Sequence, residues 1–382
     1  MKYWRGYLVA AILLAFTLGF REIAEANSQL VDMIYPYVTR LVQNYMATWS
    51  GSVSFCVWQA VLLALVIGAL ASFVLMAIFH WNPIQWFGWV VAVASLILLL
   101  HTGIYGMNEF AGPIAEDIRL TEAECTDEQM EAAAVYYRDK ANELAAQVTR
   151  GADGAVQVPA LSQLNEQAVN GFQNLVYEQY YSVFAGTTAP VKELGLAEYF
   201  TARGQMGYTV PITGEAAVNM EAPSVMLPFA VCREMCYRMT IASERDKHFA
   251  AFMTCQANED PVFQYAGYVM AYRYCLGQLP KAAAATVAAE ADPMVKKDMD
   301  IWSAFVGKTV ETDPDVDIHD LEVKLGLEEE KKVEEDTDKE IAKLLLRWHH
   351  QTVTVPSQAE PEAKFDPYDE KQVDMTGLPH VK

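Results

Sequence analysis

Leu227-Pro-Phe-Ala-Val-Cys-Arg-Glu-Met-Cys-Tyr-Arg-Met-Thr-Ile-Ala-Ser-Glu-Arg-Asp-Lys-His-Phe249 reads as two helices with a break near Ser243, continuing to about Cys255. The first helix carries Arg233-Glu234-Met235-Cys236-Tyr237. A His-Glu-x-x-His window at this place would be a zinc motif. Its two imidazoles, at i and i+4, share one helix face and hold the metal. The Glu beside the first His polarises the metal-bound water. Here the Glu stands at 234, but Arg233 and Tyr237 occupy the two His positions.

The composition around this stretch is split. From Leu41 to Asn108 there is no Asp, Glu, Lys or Arg, whereas the chain as a whole carries a net charge of -21. Before Glu109 the charges are Lys2, Arg5, Arg21 and Arg40 against Glu22, Glu25 and Asp32, so the acidity belongs almost wholly to residues 109–382. An acidic surface repels phosphates, which argues against a nucleic-acid partner.

Residues 1–108 form a membrane region with three apolar segments, at about 6–20, 53–79 and 84–105. The second and third are each long enough to span a hydrocarbon core. Trp81, Trp86 and Trp89 lie near their junction, as interfacial aromatics do, and His80-Trp81-Asn82-Pro83 is a turn between antiparallel helices. Ala24-Glu25-Ala26 resembles a cleavage site, but the two spans that follow favour an uncleaved anchor. Lys2 and Arg5 keep the N-terminus inside by the positive-inside rule, so three spans put residues 109–382 outside the cytoplasm. Between Arg21 and Ser52 the apolar spacing suggests a short surface helix.

Residues 109–351 read as one mainly helical domain. Thr126-Asp-Glu-Gln129 is a capping box opening a helix to about Val148, and Gly151 to Gly154 is a loop. Pro159 to Phe184 reads as one long helix. Gly204 to Pro228 contains β-branched residues, Pro and Gly, and predicts short strands and turns. Asp260-Pro261 and Asp292-Pro293 each place a cap before a Pro at the first helical position, for helices of about 261–279 and 293–306. Thr309 to Asp317 is an acidic loop, and another helix lies within Glu330 to His350. Residues 352–382 have the composition of a disordered acidic tail. Of the six cysteines, Cys232, Cys236, Cys255 and Cys275 fall on apolar helices, where small buried thiols are the simplest reading. A Cys255–Cys275 disulfide is a second possibility.

Three windows, together with Tyr265-Ala-Gly-Tyr268 and Tyr272, carry a resemblance. Tyr105-Gly-Met-Asn-Glu-Phe-Ala-Gly-Pro113, then Pro211-Ile-Thr-Gly-Glu-Ala-Ala-Val-Asn219 with Leu227-Pro-Phe229, then the central stretch are similar to the bacterial membrane family of unknown function numbered 3810. That family is regarded as zinc metallopeptidases, and the resemblance runs from about Tyr35 to Trp348. It implies three spans followed by an extracytoplasmic, helical, zincin-like domain with a small β element. Carried over residue by residue, Glu234 stands at the general-base position. Arg233, Tyr237 and Asp246 stand at the ligand positions, with Glu244 adjacent. Thr240 replaces a Gly, and Lys247 and His248 replace Ala-Asn.

An Arg is cationic at any usable pH and cannot ligate zinc. No metal or cofactor is therefore expected, and Arg233 is a candidate charge substitute, pairing with Glu234, Glu244 or Asp246. Cys232 and Cys236, themselves i and i+4, could with His248 or Asp246 form a structural zinc site, but never the hydrolytic geometry. The expected function is that of a pseudoenzyme, a membrane-anchored, non-catalytic homologue that binds a protein or peptide partner at the bacterial cell surface. The alternative is an active membrane-bound zinc metallopeptidase with an atypical site.

Overall fold

The computed structural model describes residues 4–178, 180–306 and 327–354, with side chains of the last helix from residue 336 onward. The acidic loop at 309–317 and most of the tail lie outside the described residues.

Four long helices open the chain: α1 (Arg5–Ala26), α2 (Ser28–Ser50), α3 (Val57–Ile78) and α4 (Pro83–Ile104). Three of them, α1, α3 and α4, are long and apolar enough to cross a membrane. α4 starts where the Asn82 side chain caps Ile84 and Gln85 and Pro83 presets the first turn. α1 and α4 meet at Gly6 and Gly88, where a Cβ on either residue would strike the opposite helix. Small residues allow this close backbone approach in lipid. α3 joins α4 through a Trp86 Nε1–H bond to Ser72 Oγ at 3.0 Å. α2 corrects the sequence reading: the short surface helix is 23 residues long.

A 3-10 turn (Gly106–Phe110) and the short α5 (Ile114–Asp117) lead into the domain. The domain helices are α6 (Asp127–Ala145), α7 (Leu161–Tyr177), α8 (Tyr181–Phe184), α9 (Ala197–Thr201), α10 (Leu227–Arg238), α11 (Glu244–Gln256), α12 (Pro261–Gly277), α13 (Lys281–Ala289), α14 (Pro293–Val306) and α15 (Leu327–His349). The predicted single helix over 159–184 is two helices, because the chain turns after Tyr177. Caps that the sequence announced are made: Thr126 accepts from Gln129 and Asp260 from Val262; Ser243, read only as a break, caps α11 by accepting from Asp246.

The small sheet has the order β1-β3-β2, with β1 (Lys192–Glu193), β2 (Gly207–Val210) and β3 (Glu215–Val218). β3 pairs antiparallel with β2, Gly207 facing Val218 and Val210 facing Glu215, and parallel with β1. The β2–β3 turn is tight because Gly214 takes a φ of +65°. Beneath the sheet runs α10, whose Phe229, Cys232, Met235 and Cys236 are fully buried and form the centre of the core. Around it, α11 packs on α7, where Gly171 leaves no room for a Cβ against Thr254. All six cysteines are free, so the Cys255–Cys275 disulfide is not formed.

The sheet is tied to the membrane region by one buried carboxylate. Glu215 accepts hydrogen bonds from the amides of Val57 and Trp58, both at 2.8 Å, at the N-terminus of α3. A carboxylate there satisfies orphan N–H groups and complements the helix dipole. Lys192 Nζ lies 2.6 Å from the same carboxylate and also donates to the carbonyls of Ser50 and Phe55.

Candidate functional site

A cleft of about 660 Å³ opens between β2, α10 and α11. α10 presents Arg233, Glu234 and Tyr237 to it, and α11 presents Glu244, Lys247 and His248. Arg233 and Tyr237 lie one helical turn apart on the cleft face, where i and i+4 side chains stack one above the other.

Glu234 is buried, its side chain 2% exposed. The Thr209 hydroxyl of β2 donates to it at 2.7 Å, and the Arg233 guanidinium pairs with its other oxygen. The same guanidinium reaches across to Glu244 of α11 at 3.2 Å. One side chain thus cross-links two carboxylates on two helices. Gly207 of β2 makes room for this packing, since a Cβ there would lie 2.9 Å from Glu234 Cγ.

Asp246, which the resemblance places at the third ligand position, does not line the cleft. It pairs with Arg245 at 2.7 Å and accepts from the Ile114 amide at the start of α5. The reason is helical phase. Ser243 caps α11, so Glu244 opens it, and two residues on the side chain points about 200° away. Of the two acidic residues of α11, Glu244 is the one that lines the cleft.

The remaining charges are arranged around Glu244. Lys247 is buried, pairs with Glu244 and lies 4.7 Å from the centre of the Tyr237 ring. Burial lowers the Lys247 pKa, Arg233 lowers it further, and Glu244 opposes both. Burial pushes Glu244 up, but Arg233, Lys247 and His248 outweigh it and hold the carboxyl well below its ordinary range. Glu244 is 53% exposed, so solvent screens much of this effect. His248 bonds the Glu244 carbonyl through Nδ1 at 2.8 Å and sits between the rings of Phe229 and Tyr274. Burial, then Arg233, pushes it down to about 3, so it is neutral near pH 7. In sum, Glu234 and Glu244 are balanced by Arg233 and Lys247.

The far side of Tyr237 stacks on Tyr105 with ring centroids 4.6 Å apart, and the Tyr105 hydroxyl donates to the Tyr237 carbonyl. This joins the end of α4 to the cleft wall. His101, in the last turn of α4, also lines the cleft. On the opposite rim Tyr208 packs against Trp58 of α3. The cleft therefore opens beside the ends of two apolar helices.

Thr240 takes a glycine-like backbone with φ +80°. Its hydroxyl accepts from Arg40 Nε at 3.2 Å. Such a conformation costs a β-branched residue on the order of 1–3 kcal/mol.

The structural zinc site proposed for Cys232, Cys236 and His248 is not assembled. Cys236 lies against Thr254 Oγ1 at 3.9 Å, and Cys232 faces Cys255 inside the core. Among the described residues, no group of three or more His, Cys, Asp and Glu side chains is placed to hold a metal. Burial raises both thiols well above the ordinary range, which suppresses the reactive thiolate. Arg238, on the same helix, donates to the Ala189 carbonyl. Sequence reasoning gave no role to Thr209, His101 or Glu215. Tyr105 and Glu215 stood within the resembling windows, which was the available signal.

Residues 31–318 match the model of a family described as Protein of unknown function (DUF3810). No curated protein and no solved structure matches the chain.

Proposed function

Since the chain belongs to that family, we propose that it is a membrane-anchored, non-catalytic member whose cleft binds a polypeptide outside the cytoplasm. The observation that carries this reading is the Arg233 bridge. Its guanidinium holds Glu234 and Glu244 together where a metallopeptidase would need a dication between its ligands. The residues do not fit zinc. Arg233 offers no lone pair, Tyr237 offers a phenol whose ionisation burial opposes, and a dication would add to a cleft already balanced in charge.

Retained packing supports a binding role. β2 is an edge strand whose Gly207, Tyr208, Thr209 and Val210 all line the cleft. An open strand edge beside apolar Met206, Met270 and Trp302 suits an extended peptide, through main-chain hydrogen bonds and side-chain pockets. The extracytoplasmic location rests on Lys2 and Arg5 before three spans.

The test uses the full-length chain in detergent with unfolded casein peptides. A photoreactive residue at Tyr208 should cross-link the peptides, and no hydrolysis should appear with zinc or with chelator. Chelator-sensitive hydrolysis would instead favour the atypical peptidase. On whole cells, a tag after Gly151 should be cut by external protease, and a protected tag means the opposite orientation.

A further inference from the structure

We propose that α2 is a membrane-surface helix whose outer face is embedded in the lipid interface, so that the domain and its cleft are held against the bilayer. The inference rests on α1 and α3 being consecutive spans.

The first argument is geometric. α1 ends at Ala26 and α3 begins at Val57. Consecutive spans run in opposite directions, so these two ends lie at the same face of the membrane. α2 fills the interval from Ser28 to Ser50 and is about 35 Å long at 1.5 Å per residue. With both ends pinned at one face, a helix of that length must lie along the surface.

The second argument is the inverted distribution of polarity. Both charged residues of α2 turn towards the protein. Asp32 accepts from the Gly112 amide at 3.2 Å, and Arg40 donates to the carbonyls of Met239 and Ser182. Gln43 is buried and donates to the Pro211 carbonyl at 2.9 Å. The outward face is instead Met33, Tyr37, Leu41, Tyr45 and Trp49, with Leu41 and Tyr45 each 73% exposed. Their spacing follows the helical repeat and makes one continuous stripe. A helix facing water would place its charges outside. Tyr and Trp towards the C-terminal half are the side chains that settle at the headgroup level. The stripe follows directly on the apolar α1, since only Asn27 separates α1 from α2.

The bilayer is therefore the occupant the observations select. The contacts on the inner face of α2 reach residues next to the cleft wall: Met239 and Thr240 follow α10, and Pro211 follows β2. The depth of α2 consequently sets the height of the cleft above the lipid.

The experiment places a nitroxide label at Leu41→Cys or Tyr45→Cys in full-length chain carrying Cys125→Ser, which removes the exposed native thiol. Tyr177→Cys, at an exposed domain position, is the water-facing control. The proteins are reconstituted into vesicles of phosphatidylcholine and phosphatidylglycerol, and relaxation by oxygen is compared with relaxation by a water-soluble nickel complex. Both α2 labels should favour oxygen by several-fold relative to the control. Nickel access equal to the control would mean that the face is in water and would overturn the proposal. Exclusion of both reagents, with spin–spin broadening between copies, would overturn it in favour of a second copy of the chain.

Discussion

Replacing Arg233 by Met keeps the aliphatic stem and removes the guanidinium. Glu234 then retains only the Thr209 hydroxyl as partner for a side chain that is 2% exposed. Removing one member of a buried pair costs about 3–5 kcal/mol, because the other charge is left uncompensated. Arg233 is itself 15% exposed and Thr209 stays in place, so the lower end, about 3 kcal/mol, is the appropriate figure. The Glu244 half of the bridge adds less than about 1 kcal/mol because that carboxylate faces solvent. For a domain of this size, about 3 kcal/mol corresponds to a fall in Tm of roughly 6–12 °C. Thermal unfolding of the full-length chain in detergent, followed by near-UV circular dichroism at a fixed scan rate, measures it. Arg233→Met with Glu234→Gln removes both charges, keeps an amide for Thr209, and should recover at least half of the loss. An unchanged Tm in the single variant, or no recovery in the double, would refute the charge-bridge argument.

Two further outcomes follow from the same geometry. His248 is held down to about 3, so between that value and its ordinary 6.5 the unfolded chain binds a proton that the folded chain refuses. Stability is then complete above pH 6.5 and falls on acidification, by on the order of 2 kcal/mol at pH 5. His248→Asn should remove that share, read as the difference between the pH–Tm curves of the two chains, and parallel curves would contradict it. Glu215→Gln leaves Lys192 without its carboxylate and weakens the cap on α3, so it should cost about 2–3 kcal/mol. It should also speed proteolysis within residues 51–56, and wild-type values for both would argue against Glu215 tying the sheet to α3.

What the sequence revealed was mostly local. Thr126, Asp260 and Asp292 announce their helices because a cap is satisfied by amides two or three residues away. The apolar spans were legible because lipid demands long uncharged runs. The misses depended on distant partners. The chain turns after Tyr177 with no Pro or Gly to signal it, and β1 exists only because β3 lies beside it. The length of α2 was hidden because its polarity is inverted, with an apolar outer face and its charges turned inward. At the site, Arg233 was legible as a charge partner for Glu234 and Glu244, and it meets both. Motif spacing alone does not show which acidic residue of α11 lines the cleft, because it ignores where the cap starts the helix. Ser243 fixes that phase and sends Asp246 to α5.

The central claim, that Arg233 has taken the place of a metal, is tested most directly by calorimetric titration of zinc into the full-length chain in detergent. The comparison is between the natural sequence and Arg233→His with Tyr237→His, which restores two imidazoles on one face with Glu244 already in reach. The account predicts one stoichiometric zinc in the double variant, lost again on adding Glu244→Gln, and no stoichiometric zinc in the natural chain. Tight one-to-one binding by the natural chain, or none by the double variant, would contradict it.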